Sequence, residues 1–359
     1  MKSNDFVVVH VITSDSGGGA ENLVSNMLDS DGLFLQYAIY FSSFISGYRR
    51  PNTIYLGSNP RSLLNIFKLR KTIKMLIEKH GELIVHAHLT WPLFYVALGL
   101  FNLNVKLVYT EHSTFNKRRK YPFLKFFERL VYSRYSRIVG ISNSVSKSIE
   151  VWLGSSFLSR IVTINNGARF YSFKCRHNLE LSKKIKLLSV GSLKPLKGFD
   201  KTIKSLSKIT QYIDKYTIVG TGPSYDTLKE ISLDNHVDHL VDFVGWSNEL
   251  EKFYHEADIL LIPSHWEGFG LSAVEGMSTG LPVIASNVDG LNEVVSKTLN
   301  SSILVENFLD ENSWADAILE MKKKLSSDYF NMSIESKQQA YKFSFDKMFK
   351  EYTDLYKWL

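Results

Sequence analysis

The 359 residues include one cysteine, Cys175, so no internal disulfide can form and a reducing compartment is expected. Low-complexity stretches and short-period repeats are absent, so a repeat array is not expected. Met1-Lys-Ser-Asn-Asp5 leads straight into a short valine-rich run, without the pattern of a signal peptide. From Leu83 to Val105, 23 residues carry no Asp, Glu, Lys or Arg, a length that could cross a bilayer. His86, His88, Pro92, Gly99, Asn102 and Asn104 interrupt that run and would be costly or disruptive in hydrocarbon. A buried parallel strand followed by a buried helix is expected there instead, in a soluble cytoplasmic protein.

Net charge is unevenly spread. Residues 1–175 hold 22 Lys and Arg against 10 Asp and Glu, while residues 176–359 hold 21 against 26. A basic first half implies a polyanionic surface nearby. No nucleic-acid-binding motif is visible, so an anionic membrane is the expected partner, reached by peripheral binding at the inner face of the cytoplasmic membrane.

Short Val/Ile-rich runs alternate with amphipathic stretches of helix length, the pattern of repeated βαβ units. Strands are expected at 6–13, 36–41, 83–88, 106–110, 137–141 and 161–164, then at 185–191, 216–220, 240–244, 258–262, 282–285 and 302–305. The spacing predicts domains over 1–172 and 185–340, a charge-dense linker over 173–184, and a terminal helix over 341–359. In that helix Met348, Tyr352 and Leu355 are expected to form the buried stripe.

Glu267 and Glu275 lie in Pro263-Ser-His-Trp-Glu-Gly-Phe-Gly-Leu-Ser-Ala-Val-Glu-Gly-Met277, directly after a strand-like run. On one continuous helix they would stand roughly 12 Å apart. Gly268 and Gly270 argue for a turn instead, with Glu267 on the loop and Glu275 in the first turns of the helix. Both carboxylates and the free amides of the helix start would then face the carboxyl end of the sheet, where open α/β folds bind ligands.

From Asp258 to Val295 this stretch resembles the signature of retaining glycosyltransferases of family 4. Gly280-Leu-Pro-Val-Ile-Ala285 and Gly290-Leu-Asn-Glu293 stand in the family's flanking places. The resemblance implies an α/β GT-B fold: two Rossmann-like domains facing across a cleft, with the C-terminal helix crossing back to the first domain. It also implies a metal-independent hexosyl- or N-acetylhexosaminyltransferase. The expected donor is a nucleoside diphosphate sugar, UDP before GDP. High aromatic content, a basic first domain and small size resemble enzymes that assemble surface polysaccharide on a lipid carrier, so a glycan or polyprenyl-linked glycan is the expected acceptor. No cofactor is expected.

The resemblance carries over residue by residue. Glu275 would hold ribose hydroxyls and Glu267 sugar hydroxyls, with Gly268, Phe269, Gly270 and Leu271 lining the donor. Gly191-Ser-Leu-Lys-Pro-Leu-Lys-Gly198 matches the family's diphosphate-gripping loop at Lys197, but Ser192 stands where the family has Arg. A planar guanidinium is lost there, and Lys194 is a point charge that could replace it or a solvated loop residue. Gly222 in Gly220-Thr-Gly-Pro223 and Gly245 before Trp246 are expected near the nucleotide. The loop Ser16-Gly-Gly-Gly-Ala-Glu21 resembles the family's Gly-Gly-x-Glu, placing Gly18 and Gly19 at a phosphate or acceptor group. It lacks the glycine spacing of a dinucleotide fingerprint. His112, in Thr110-Glu-His-Ser113, matches the family's Thr-x-His at the reacting centre, whereas His86 and His88 read as buried or strand-end polar residues. Asn165-Asn-Gly-Ala-Arg169 has Arg in place of the family's Asp, and its role stays open.

Residues 117–137 hold eight basic residues and one acid, interleaved with Phe123, Phe127, Leu130 and Tyr135. Lys117, Arg118, Arg119, Lys120 and Phe123 are expected at the acceptor or membrane surface. Asp29-Ser-Asp31 follows a helical run and precedes Gly32, so no metal site is expected there. Three other readings remain: a sugar-nucleotide epimerase of GT-B shape, a catalytically silent donor-binding partner subunit, and a nucleic-acid binder.

Overall fold

The computed structural model describes residues 6–15, 18–30, 34–44, 50–114, 116–180 and 182–359. Its strands are β1 (Val7–Ile12), β2 (Leu35–Tyr40), β3 (Thr53–Tyr55), β4 (Leu83–His88), β5 (Val105–Glu111), β6 (Arg137–Gly140), β7 (Ile161–Thr163), β8 (Ile185–Val190), β9 (Ile213–Val219), β10 (Val241–Gly245), β11 (Ile259–Ile262), β12 (Val283–Ser286) and β13 (Ser302–Val305). The helices are α1 (Gly19–Asp29), α2 (Leu64–His80), α3 (Thr90–Gly99), α4 (Leu124–Tyr132), α5 (Asn143–Leu153), α6 (Phe199–Leu206), α7 (Tyr225–Asp234), α8 (Leu250–Glu256), α9 (Leu271–Ser278), α10 (Leu291–Val294), α11 (Glu311–Tyr341) and α12 (Phe345–Lys357).

Two all-parallel sheets result. The first runs β3-β2-β1-β4-β5-β6-β7 and the second β10-β9-β8-β11-β12-β13. Every residue of β1 and β4 is buried, as expected where helices cover both faces of a parallel sheet. Counted from its own first strand, the second sheet has the doubly wound order 3-2-1-4-5-6 and the first the same order with a seventh strand added, so each topological switch point lies beside the first strand. All twelve expected strands are present with ends moved by at most three residues. The thirteenth, β3, is only three residues long and too short to show a period. The uncharged run from Leu83 divides into β4 and α3, and no helix among the described residues is long and apolar enough to cross a membrane.

The chain divides into two compact units, residues 1–165 with 349–359 and residues 166–348. This differs from the expected boundaries. Residues 173–184, expected to be the interdomain linker, are bonded to the second unit. The peptide N–H of Lys174 donates to Thr279 O, and that of Leu179 to Leu325 O. Arg176 is buried there, donating to the carbonyls of Ala257 and Tyr254 and to the Tyr329 hydroxyl. The high charge density that suggested a linker includes this inward-facing guanidinium. A buried ion needs such partners, and three carbonyl and hydroxyl oxygens supply them.

Helix α12 begins in the second unit and ends in the first. Its buried stripe is Met348, Tyr352 and Tyr356, while Leu355 is only partly buried. The observed residues follow an i, i+4, i+8 row, and the aromatic ring at position 356 displaces Leu355 from the expected stripe. Within the first unit Tyr352 meets the Thr110 hydroxyl at 3.0 Å, and Tyr356 meets His86 Nδ1 at 2.6 Å. Replacing Tyr352 with Ala leaves a cavity over the sheet and an unsatisfied site beside Thr110. Such a truncation is expected to destabilise the first unit by about 3–5 kcal/mol, measured as a lowered urea midpoint of its unfolding transition.

Candidate functional site

Four loops at the carboxyl edge of the second sheet are held in backbone contact by glycines. Gly198 has φ +64, and a Cβ there would lie 2.0 Å from Pro263 O, so the loop after β8 touches the loop after β11. A Cβ at Gly220 would lie 1.9 Å from Gly191 O, and one at Gly222 would lie 2.4 Å from Leu193 O. The turn after β9 is thereby laid along the loop after β8. Backbone bonds from Leu193 N to Thr221 O and from Ser224 N to Leu193 O, each 2.9 Å, fasten it. Gly290 closes the set, since a Cβ there would lie 2.6 Å from Gly268 O. Gly245 (φ +81) accepts a hydrogen bond at its carbonyl from Gly220 N, 2.8 Å away.

This stack brings Lys197 to Glu267, with Nζ 2.6 Å from the carboxylate, where the Ser264 hydroxyl also donates at 3.2 Å. Both partners retain exposure, 26% and 18% of their side chains, so the pair borders solvent. As expected, Glu267 sits on the loop and Glu275 on α9, the break being Gly270 (φ +100) at the helix start. Glu275 accepts from the Tyr254 hydroxyl at 2.9 Å. Burial pushes its carboxyl up to about 7, against the opposing pull of the Tyr254 hydrogen bond and the Arg169 charge. Arg169 itself is exposed and lies 5.8 Å over the Tyr171 ring. Ser192 is partly buried, Lys194 is exposed, and Leu271 is partly exposed at the first position of α9. Phe269 departs from its expected role: its ring is buried edge-on against Phe343 at 5.4 Å, so it is core and offers a ligand only its backbone.

In the first unit Gly18 is the extended N-cap of α1 and Gly19 its first helical residue. Gly17 and Ser16 of that loop, and Asp31 of the Asp29 pair, lie outside the described residues. Asp29 ends α1 and pairs with Arg50 at 2.8 Å. His112 follows β5 directly and is partly buried, with Nε2 3.3 Å from His88 Nδ1. His86 and His88 are buried, as expected, but they belong to a larger row with His10 of β1, which sequence reasoning missed. His10, His86 and His88 bring ring nitrogens within 4.8 Å of one another, the spacing of a metal site. Each nitrogen already has a hydrogen-bond partner, in Gln36, Tyr356, Thr110, His112 or a neighbouring imidazole. Burial holds His10 and His112 down to about 4 and His86 and His88 well below the usual range, so all four are neutral near pH 7.

Residues 117–137, expected to form one basic helix, divide into a short helical turn at Lys117–Lys120 and α4. Arg118 and Arg119 turn inward, to Glu128 at 3.3 Å and Glu111 at 3.2 Å, because two buried carboxylates require counter-charges. Arg118 also stacks on Phe94 at 4.7 Å. Lys120 and Phe123 are exposed, while the Lys117 side chain lies outside the described residues. The buried face of α4 is Glu128, Val131 and Tyr132; Phe123, Phe126, Phe127 and Leu130 face solvent. Tyr135, expected in the same stripe, is fully buried beyond the helix end.

Comparison with known proteins places these features. The family described as Glycosyltransferase Family 4 matches residues 7–169, and Glycosyl transferases group 1 matches residues 173–339. The chain is 28% identical to an uncharacterised 41.2 kDa protein in the cps region of Klebsiella pneumoniae, covering 98% of this chain and 99% of that one. It is 27% identical to the UDP-Gal:alpha-D-GlcNAc-diphosphoundecaprenol alpha-1,3-galactosyltransferase of Escherichia coli, over 72% of this chain and 69% of that one. A glycosyltransferase structure from Rickettsia africae superposes with a TM-score of 0.80 at 19% identity, covering 99% and 98% of the two chains. Fold and loops together define a GT-B protein of the sugar-nucleotide-binding type. The chain belongs to the group 1/family 4 glycosyltransferases.

The Glu275 carboxyl gives a stability test. Its folded pKa is raised, so between about 4.5 and 7 the native state binds more protons than the unfolded chain, and stability falls as pH rises through that window. Glu275→Gln keeps the acceptor for Tyr254 without the charge. It should stabilise the protein by up to about 3 kcal/mol at pH 8 and by nothing at pH 4, read from denaturant unfolding at the two pH values.

Proposed function

We propose that the protein transfers a glycosyl unit from a UDP-sugar to a hydroxyl of a glycan carried on polyprenyl diphosphate, in surface polysaccharide synthesis, with retention at the anomeric carbon. The observation that carries the reading is the Lys197–Glu267 pair on the loops after β8 and β11, at the switch point of the second sheet, with Glu275 on the helix that follows. Breaking the anomeric bond develops negative charge on the leaving diphosphate. Lys197, with the amides at the start of α9 and the Ser192 hydroxyl, would stabilise that charge without a divalent ion. Glu267 exchanges its lysine partner for sugar hydroxyls, and Glu275 takes the ribose hydroxyls. The leaving phosphate accepts the proton of the attacking hydroxyl on the same face. Neither carboxylate is assigned the acid or nucleophile role of a glycosidase. The UDP assignment and the lipid-linked acceptor draw on the name of the Escherichia coli relative, and the polysaccharide pathway on the cps-region relative.

The first unit is assigned the acceptor, through the Gly18–Gly19 helix start and His112. Lys197→Ala is expected to lower kcat by roughly 10²–10³-fold with fold and thermal midpoint retained. The assay is transfer from a labelled UDP-sugar to a polyprenyl-diphosphate glycan, repeated with EDTA, which should change nothing. An undiminished kcat in the variant counts against the assignment.

We also assign the exposed face of α4 to an anionic membrane surface. Phe123 and Phe126 are 75% and 74% exposed, and Lys120 and Lys125 flank them, an apolar patch with a basic rim. Wild-type protein should co-sediment with phosphatidylglycerol vesicles, and Phe123→Ser with Phe126→Ser should weaken binding about tenfold or more. Unchanged sedimentation of the double variant would reject this face.

A further inference from the structure

The histidine row of the first unit has a direction built into it. The Gln36 side-chain amide donates from Nε2 to Met27 O at 2.7 Å, which fixes its orientation, because the flipped amide would set oxygen against oxygen. Its Oε1 therefore faces His10 Nε2 at 3.2 Å, and an amide oxygen only accepts. His10 must carry its proton on Nε2. A neutral imidazole has one N–H, so His10 Nδ1 is an acceptor, and its partner at 3.1 Å, His88 Nε2, must donate. By the same logic His88 Nδ1 is bare and receives the proton of His112 Nε2 at 3.3 Å. Burial keeps His10, His88 and His112 neutral, and neutrality carries one direction through the row, since an imidazolium would present two donors and reverse the sense of every bond beyond it.

The geometry points to Gln36, His10 and His88 as positioning residues that lock His112 in the Nε2–H tautomer with Nδ1 bare. A bare Nδ1 accepts a hydrogen bond from a hydroxyl and offers nothing to a phosphate oxygen. The substrate group recognised at His112 is therefore a hydroxyl of the acceptor or transferred sugar, not the diphosphate. This deepens the proposed function and rests on it only for the substrate; the tautomer is a property of the free protein. The four residues come from β2, β1, β4 and the segment after β5, which the first sheet brings side by side as β2-β1-β4-β5. His86 lies across the row, its ring centroid 4.0 Å from that of His88, with its own nitrogens held by Tyr356 and Thr110. It packs the row without joining the chain of donors.

Long-range ¹H–¹⁵N correlation on protein labelled at histidine tests this at pH 7, with His112→Gln supplying the assignment. Expected for His112 in the wild type is a protonated, pyrrole-type Nε2 and a pyridine-type Nδ1. A protonated Nδ1, or a doubly protonated ring, overturns the proposal with no variant needed. In Gln36→Leu the row loses the acceptor that gives it direction, and His112 should populate both tautomers, with averaged nitrogen shifts. An unchanged His112 spectrum in folded Gln36→Leu also overturns it. Loss of transfer activity in His112→Gln would separately test the substrate assignment, and a fully active variant would defeat that assignment while leaving the tautomer result standing.

Discussion

The second unit depends on backbone touching backbone. At Gly198, Gly220, Gly222 and Gly290 a single methyl group would sit 2.0, 1.9, 2.4 and 2.6 Å from a main-chain oxygen. No side-chain rearrangement relieves such contacts, so the loops leaving β8, β9, β11 and β12 are held as one body. That rigidity lets a lysine and a glutamate 70 residues apart meet at 2.6 Å. Preorganised charge of this kind does not reorganise when a leaving group turns negative, which is what glycosyl transfer from a diphosphate demands.

The two units manage buried polarity differently. In the second, Glu275 is kept near Tyr254 and Arg169 with its carboxyl raised to about 7, and the cost of burying its charge is not fully offset. An unmet demand of that kind fits a group whose partner arrives with a ligand. In the first unit the histidine row is neutral, and each ring nitrogen of His10, His86 and His88 has a partner. Polar groups so satisfied specify a geometry and do not wait for one.

Much of this was legible in the sequence where the signal is local. Glu267, Gly268, Gly270 and Glu275 lie within nine consecutive residues, so strand, turn and helix start could be read together, and the strands followed from their apolar runs. What was missed depends on register. Nothing near His10 tells that β1 pairs with β4 to set it opposite His86, and Gln36 joins only through the β1–β2 pairing. Arg118 and Arg119 read as membrane or acceptor contacts, and Arg176 as part of a linker, because their partners, Glu128, Glu111 and the carbonyls of Ala257 and Tyr254, are not adjacent in sequence or carry no side-chain signature. Phe269 sat inside a binding motif, and only packing distinguishes a motif residue that supports the loop from one that faces a ligand.

The proposed activity requires the loops carrying Lys197, Glu267 and Glu275 to grip a nucleoside diphosphate. Isothermal titration of UDP into the wild-type protein and into Glu275→Ala, at low ionic strength, tests it most directly. Saturable one-site binding to the wild type is expected, with a loss of affinity of at least about tenfold in the variant, the equivalent of about 1.4 kcal/mol. Equal affinities, or no heat from UDP or GDP with the wild type, would contradict it.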